Sequence, residues 1–283
     1  MSRTTLVIAT RDRRDDLTQT LAQLRANTPD VPIVVVDNGS SDDTAEVARS
    51  SATVIELGRN LGSSARNAGV EAAGTPYVAF SDDDSWWAPG ALRQAEALFD
   101  AHPRLGLIAG RTLVGPSNTP DPMNTSLATS PLGRAPGLPG PSVFGFLCCA
   151  AIVRRSAFLQ VGGISPVLFF IGEEKLLAWD LAAAGWASCY VDSVVAHHHP
   201  SPRRDGTRTR RMLELRNDLL STWLRRPARC GVAGFGALAA LAVRDRAAGW
   251  ALAGALRRLP MALRSRRPLP PAVQAQVDLM ERS

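Results

Sequence analysis

Residues 77–87, YVAFSDDDSWW, decide how this chain is read. Tyr77 to Phe80 is a short apolar run that predicts a buried strand, and it empties at once into Asp82, Asp83 and Asp84. Burying adjacent like charges is costly, so the three acids are expected past the strand's end, in water or around a cation. Hard oxygen ligands there suit Mg²⁺ or Mn²⁺, ions that often share their coordination with substrate phosphates. Open α/β sheets bind their ligands at that edge. The alternative is a solvated acidic turn leading into a tryptophan-capped helix.

Working outward, strands alternate with helical patterns. TLVIAT (5–10) predicts a strand, and DDLTQTLAQLRAN (15–27) an amphipathic helix with Leu17, Leu21 and Leu24 on one face. VPIVVVD (31–37) is an apolar, β-branched run of the kind found in parallel strands covered on both sides. NGSSDD then supplies turn and N-cap chemistry for a helix to about Arg49. TVIEL, a helix over 63–73 and YVAF repeat the alternation, which predicts a doubly wound, mostly parallel α/β sheet. Two common occupants of such a sheet fail by motif. GxGxxG is missing after the first strand, and the phosphate loop GxxxxGK[ST] is impossible because Lys175, the only lysine, sits in GEEK. Neither a nicotinamide enzyme nor a P-loop ATPase is indicated.

With 283 residues the chain can bury a full core, and 45% apolar composition excludes wholesale disorder. Its net charge of +6 is carried by arginine, which suits nucleic acid, anionic lipid or diphosphates. A nucleic-acid module predicts arginines interleaved with stacking aromatics. Only two tyrosines exist and the tryptophans do not alternate with arginine, so no nucleic-acid partner is expected. The four cysteines lack CxxC spacing and read as reduced, buried residues. The N-terminus shows no secretory apolar region, and no segment reaches the ~20 apolar residues of a membrane span. A cytoplasmic protein, or one peripheral at the inner face of the plasma membrane, is therefore expected.

VIATRDR, VVVDNGSSDDT, GRNLGSSARNAG and YVAFSDDD follow one another over residues 5–87. In order and spacing this region resembles the nucleotide-sugar half of family 2 glycosyltransferases. The resemblance implies a GT-A fold, Rossmann-like with a mostly parallel sheet flanked by helices and a C-terminal helical tail. It also implies an inverting hexosyl or deoxyhexosyl transfer from a nucleoside-diphosphate sugar to a glycan or lipid-linked acceptor, in polysaccharide or cell-envelope biosynthesis. Thr10, Arg11, Asp37, Asn38, Arg66, Asp82 and Asp83 would bind the nucleotide sugar, with Thr10 bordering the base pocket and Asp37 and Arg66 on the nucleoside. Asp82 and Asp84 would be the DxD pair for Mn²⁺ or Mg²⁺, with Asp84 nearest the metal. Relatives more often show Pro and Asn where this chain has Ala9-Thr10-Arg11-Asp12. A sugar-nucleotide nucleotidyltransferase would want a Gly-rich basic loop after the first strand, and ATRDRRDD lacks the glycines.

The chain divides into a nucleotide-sugar half (1–115), a Pro/Gly-rich stretch (116–142), an acceptor half (143–226) and a tail (227–283). The Pro/Gly-rich stretch has no helical or strand period, and reads as a mobile cover over the acceptor side or a disordered insertion. Residues 144–186 resemble the family's acceptor half, ending in a helix that opens with an acidic pair and closes on Gly185-Trp186. Spacing back from Gly185-Trp186 puts Glu174 where relatives carry the catalytic aspartate. A carboxylate there accepts the acceptor hydroxyl's proton, with Glu173 the alternative base. The helix dipole alone also favours acids in that first turn.

In many relatives a histidine after the next strand helps to hold the metal, and His197 matches best by spacing, with His199 on the same face. No cysteine or carboxylate nearby has zinc-ligand spacing. Arg203, Arg204, Arg208, Arg210 and Arg211 read either as phosphate contacts or as a solvated basic face. In the tail, CGVAGFGALAALAV (230–243) is too short to span a membrane. Residues 244–268 then set Trp250, Leu252, Leu256, Leu259 and Leu263 among Arg257, Arg258, Arg264, Arg266 and Arg267. That composition fits a helix resting on an anionic membrane surface through residues 230–268, or one packing on the domain or on a second copy.

Overall fold

The computed structural model describes residues 2–201 and 206–282. Its first part is the predicted alternation: β1 (Thr4–Thr10), α1 (Arg14–Asn27), β2 (Ile33–Asp37), α2 (Thr44–Ala48), β3 (Thr53–Glu56), α3 (Arg66–Ala72) and β4 (Tyr77–Ser81). The four strands are parallel in the order β3-β2-β1-β4, with Thr10 beside Asp37 and Ile8 beside Ser81. Every residue of β2 and β4 is buried, because helices cover both faces of the sheet.

Strand alternation sorts the side chains into two layers. Val7, Val34, Val36, Val78 and Phe80 enter one core, and Leu6, Ile8, Val35, Tyr77 and Ala79 the other, where Leu17, Leu21 and Leu24 of α1 meet them. On the first side α3 lies close against the sheet at Gly69. A Cβ there would stand 2.4 Å from Cγ1 of Val7, so a residue with a side chain would push the helix, and the Arg66 it carries, outward.

The rest of the chain adds β5 (Ser85–Trp87), α4 (Ala91–Ala101), β6 (Leu105–Val114), β7 (Thr119–Pro120), α5 (Pro122–Ala128), β8 (Ala151–Arg154), α6 (Arg155–Val161), α7 (Glu173–Ala183) and β9 (Ala187–His198). Beyond β4 the sheet becomes mixed, continuing β4-β8-β6-β9-β5, with β8 antiparallel to both its neighbours and β6 parallel to β9. The short link from β4 to β5 therefore crosses to strand β9, and Ser85 and Trp86 pair with His198 and His197.

The stretch 116–142 is not a structureless cover. Asp121 caps α5, accepting from the Met123 N–H at 2.8 Å, and Pro122 occupies its first turn. The Asn124 side chain takes both the N–H and the C=O of Thr112, at 2.9 and 2.8 Å, while β7 pairs with β6. These polar locks have no apolar period, which is why the sequence reads as a loop.

Four helices close the chain: α8 (Thr207–Arg225), α9 (Ala228–Ala242), α10 (Arg246–Arg264) and α11 (Pro271–Arg282). They pack on the domain. The face that α10 buries is made of Ala248, Ala251, Ala255 and Ala262, not the leucines. Arg225 of α8 pairs with Asp180 of α7, its Nη2 lying 2.8 Å from Oδ2. Two of the five tail arginines also turn inward: Arg258 donates to Val167 O at 2.9 Å, and Arg266 to Arg226 O at 2.7 Å. Among the described residues no helix is long and apolar enough to cross a membrane.

Candidate active site

The acidic triplet is a turn closed by its neighbours. Ser85 Oγ accepts from the Asp82 N–H at 2.7 Å, and the Ser85 N–H donates back to Asp82 O at 3.2 Å. Trp87, wholly buried, donates its indole N–H to Phe80 O at 3.2 Å and so ties the turn to the core. Within the turn the acids part. Asp83 points back into the protein and accepts from Thr10 Oγ1 at 2.8 Å. Burial pushes its carboxyl up to about 7, the Thr10 hydrogen bond opposing and the charges of Asp82 and Asp84 adding to the rise.

Asp82 and Asp84 turn the other way and meet His198, their ligand atoms all lying within 4.8 Å of one another. Asp84 is held firmly: Oδ2 accepts from the Ser201 N–H at 3.0 Å, and its backbone C=O from the His199 N–H at 2.8 Å. The histidine at the carboxylates is thus His198 and not His197. Strand β9 runs through to His198, and its alternation puts His197 and His199 on the opposite side, against the Trp86 ring at 5.9 and 4.5 Å. His197 pairs with Asn118 Oδ1 at 2.8 Å.

A second acidic group faces the first across Arg66. The Arg66 guanidinium is buried and donates to Asp82 Oδ1, while Nε has no hydrogen-bond partner among the described residues. Burial works to lower its pKa, but Cys148, Asp82 and Glu173 around it win, so it stays charged. Carboxylate oxygens of Glu173 and Glu174 lie within 4.8 Å of each other and of Cys148 Sγ. Glu173 is buried, and its Oε2 has no partner among the described residues. Burial raises its pKa, and Arg66 opposes the rise. Glu174 is half-buried, and burial, followed by repulsion from Glu173, pushes it up to about 8. A carboxyl so raised is a stronger base than an ordinary glutamate once its proton has left.

Other expected contacts lie differently. Asn38 spends its amide inside the 58–62 loop, donating to Asn60 Oδ1 and Gly62 O at 3.1 Å and accepting from the Leu61 N–H at 2.7 Å. Asp37 is buried at the end of β2 and accepts from the Ser40 N–H at 3.2 Å. Arg11 is exposed and donates to Gly39 O at 3.3 Å. Thr10 and Asn38 therefore use these polar atoms to tie the ends of β1 and β2 to the neighbouring turns. Arg210 and Arg211 pair with Glu214 and Asp245 at 3.1 and 3.0 Å. Arg203 and Arg204 lie outside the described residues.

The sequence reading missed Cys148 and His198. His198 was within reach, since a strand carried one residue further puts it on the Asp84 side. Cys148 follows from nothing local, because only the tertiary fold brings its Sγ to the acidic pair, 25 and 26 residues further along the chain.

Residues 5–162 match the family described as Glycosyl transferase family 2. The chain is 32% identical over 212 residues to a pre-mycofactocin glycosyltransferase of Mycobacterium tuberculosis (strain ATCC 25618 / H37Rv), covering 71% of this chain and 44% of that protein. It is 30% identical over 212 residues to the N-acetylglucosaminyl-diphospho-decaprenol L-rhamnosyltransferase of the same strain, covering 60% of this chain and 66% of the relative. The chain thus spans less than two thirds of each relative's length. Among solved structures, the Pyrobaculum calidifontis mannosyltransferase PcManGT, in complex with GDP-Man and Mn²⁺, superposes with a TM-score of 0.62 at 19% identity, over 99% of this chain and 86% of that one. S. aureus TarS 1-349 in complex with UDP-GlcNAc gives 0.60 at 13% identity, over 94% and 91%. At such identities the likeness speaks for the fold, and the family match speaks for the lineage: the chain belongs to glycosyl transferase family 2 and has the GT-A fold.

Proposed function

We propose that the chain moves a sugar from a nucleoside-diphosphate sugar to an acceptor hydroxyl with inversion, in a metal-dependent reaction with Glu174 as general base. The observation that carries this reading is the convergence of two acidic groups on one arginine. Arg66 bonds Asp82 of the Asp82–Asp84–His198 cluster, and its charge also acts on the Glu173–Glu174 pair. Two carboxylates and an imidazole form a donor set that suits Mn²⁺ or Mg²⁺. Asp82, Asp84 and His198 would hold that ion, which when bound neutralises charge on the leaving diphosphate. Arg66 adds a fixed positive charge on the same side. Glu174 accepts the proton of the acceptor hydroxyl as its oxygen bonds to the anomeric carbon and the bond to the diphosphate oxygen breaks. A single displacement from the opposite face inverts that carbon.

The donors carried by the solved neighbours, GDP-Man and UDP-GlcNAc, make purine and uridine diphosphate sugars the first to try. The rhamnosyltransferase relative makes a lipid-linked acceptor of the cell envelope the first acceptor class. A membrane-facing surface fits that class. Val243, Trp250 and Val232 are 84%, 65% and 63% exposed on the last helices, and Arg244, Arg246 and Arg257 are exposed with them. An open cavity of about 460 Å³ between α8 and α10 is lined by Arg208, Met212, Arg246 and Trp250. Apolar side chains among exposed arginines suit an anionic bilayer.

The test is hydrolysis of a panel of nucleoside-diphosphate sugars by the purified protein with Mn²⁺, the released sugar's anomer being read by NMR. Hydrolysis of one donor with inversion supports the reading, and a retained anomer overturns the single displacement. Formation of a sugar nucleotide from sugar phosphate and nucleoside triphosphate would point instead to a nucleotidyltransferase.

A further inference from the structure

The segment Pro166–Gly172, just before the acidic pair, follows an unusual path. Phe169 and Ile171 have φ of 70° and 73°, and Gly172, the residue that opens α7, has 85°. A β-branched residue such as Ile171 stays in the left-handed region only where its surroundings over-determine it. No side chain caps α7, so the path of this segment alone decides where the helix starts.

What over-determines the segment comes from α8. Asn217, 1% exposed in the middle of that helix, donates from Nδ2 to Phe170 O at 2.6 Å and to Ile171 O at 2.5 Å. Arg216 fixes the amide's orientation, donating from Nε to Asn217 Oδ1 at 2.9 Å, and from Nη2 to Leu168 O at 2.6 Å. From the opposite side, Ser63, three residues before Arg66, donates to Phe169 O from its N–H at 2.7 Å and its hydroxyl at 3.1 Å. Four successive carbonyls, 168 to 171, are thus taken in turn by α8 and by the loop that leads to Arg66.

We infer that Asn217, oriented by Arg216, is a positioning residue. Its carboxamide holds the left-handed turn at Ile171 and so sets where the Glu173 and Glu174 carboxylates lie relative to Arg66 and Asp82. The inference rests on the reading of that pair as the base. A static helix join would need no such arrangement, because an ordinary Ser or Asp cap starts a helix without strain. Here the strained path brings the uncapped end of α7 to Arg66.

Asn217→Asp keeps the shape and removes the N–H donors. With GDP-mannose or UDP-GlcNAc, whichever the hydrolysis panel selects, kcat should fall about tenfold or more while donor KM changes by no more than about twofold. Amide hydrogen exchange over residues 168–174 should quicken while that of β1 and β2 stays slow. Adding Ile171→Gly should restore part of the lost kcat, because glycine holds a positive φ without strain. Arg216→Lys, a milder change, should show the same split more weakly, and serves if Asn217→Asp does not fold. Unchanged kcat and exchange would overturn the inference, as would a loss that only tracks the folded fraction and is not relieved by Ile171→Gly. The two readings fail separately. Wild-type turnover in both Glu173→Gln and Glu174→Gln would end the base assignment, whereas the exchange measurement would still report whether Asn217 holds the turn.

Discussion

Nε2 of His198 lies 3.3 Å from Oδ1 of Asp84, and both residues are mostly buried where β9 passes the acidic turn. One residue earlier, His197 faces Asn118 and the Trp86 ring instead. This contrast separates two neighbouring histidines. His198→Ala should weaken Mn²⁺-dependent donor binding by ~10-fold or more, in the range seen when groups at a metal site are lost. His197→Ala should leave it near wild type. Titration of donor in the presence of Mn²⁺ checks both, and the reverse pattern would return the metal to the His197 face.

Glu174→Gln keeps the side chain's shape and removes the base. Turnover should fall ~10²-fold or more with donor affinity nearly unchanged. Glu173→Gln should cost less, since Glu173 is the more buried of the two and acts on its neighbour through charge. If Glu173→Gln shows the larger loss, the assignment moves by one residue.

The same pair makes stability depend on pH. Burial raises the folded-state pKa of Glu174 from its ordinary 4.5 to about 8, so between those values the folded chain holds a proton that the unfolded chain has released. Where the folded state binds more protons, stability falls as pH rises. Glutamine titrates nothing, so the Glu174→Gln melting temperature should gain on wild type as pH climbs through that window. A difference independent of pH would show that the carboxyl is not raised.

Gly62 sits at φ 63°, and a Cβ there would lie 1.9 Å from Phe169 O. Gly62→Ala should cost ~1–3 kcal/mol from the backbone conformation alone, with the clash added. Because the clash falls on the segment before α7, turnover should drop further than the melting temperature explains. Chemical denaturation beside steady-state kinetics would show it, and parallel losses would contradict it.

Trp250 is exposed on α10, which is anchored through buried alanines, and Val243 is exposed at the end of α9, which buries Gly231 and Leu238. Removing the helices would therefore unfold the domain, and point changes are the better probe. Trp250→Ser with Val243→Ser should reduce sedimentation with anionic vesicles, leave neutral vesicles unbound and leave the melting temperature unchanged. Equal sedimentation of the variant and wild type would favour a protein partner at this face.

The parallel half of the sheet could be read from the sequence because its signals are local: β-branched runs, an amphipathic helix, and acids that cannot be buried in a strand. Asp82 and Asp84 were placed by the same logic. Within 116–142 the helix and its attachment were not legible, because they rest on Asn124 of α5 bonding Thr112 of β6, which no periodic pattern records. The hydrogen bond of Thr10 to Asp83 was not legible because the two are 73 residues apart, and only the β1–β4 pairing brings them together. The α10 helix hid its packing face for a different reason. Its buried stripe is alanine, while Leu256, Leu263 and Trp250 are exposed and Leu252 packs only in part, so hydrophobicity did not mark the face that meets the domain. Asn217 is a mid-helix polar residue with no motif around it, and its meaning rests on carbonyls 46 and 47 residues earlier.

The central claim is that Asp82, Asp84 and His198 bind the donor's diphosphate through a divalent ion. Calorimetric titration of the selected nucleoside-diphosphate sugar into wild type and Asp84→Ala, each with Mn²⁺ and with EDTA, tests it most directly. The account predicts binding by wild type only with Mn²⁺, and none by the folded variant in either condition. Equal donor affinity in wild type and variant, or in Mn²⁺ and EDTA, would contradict it.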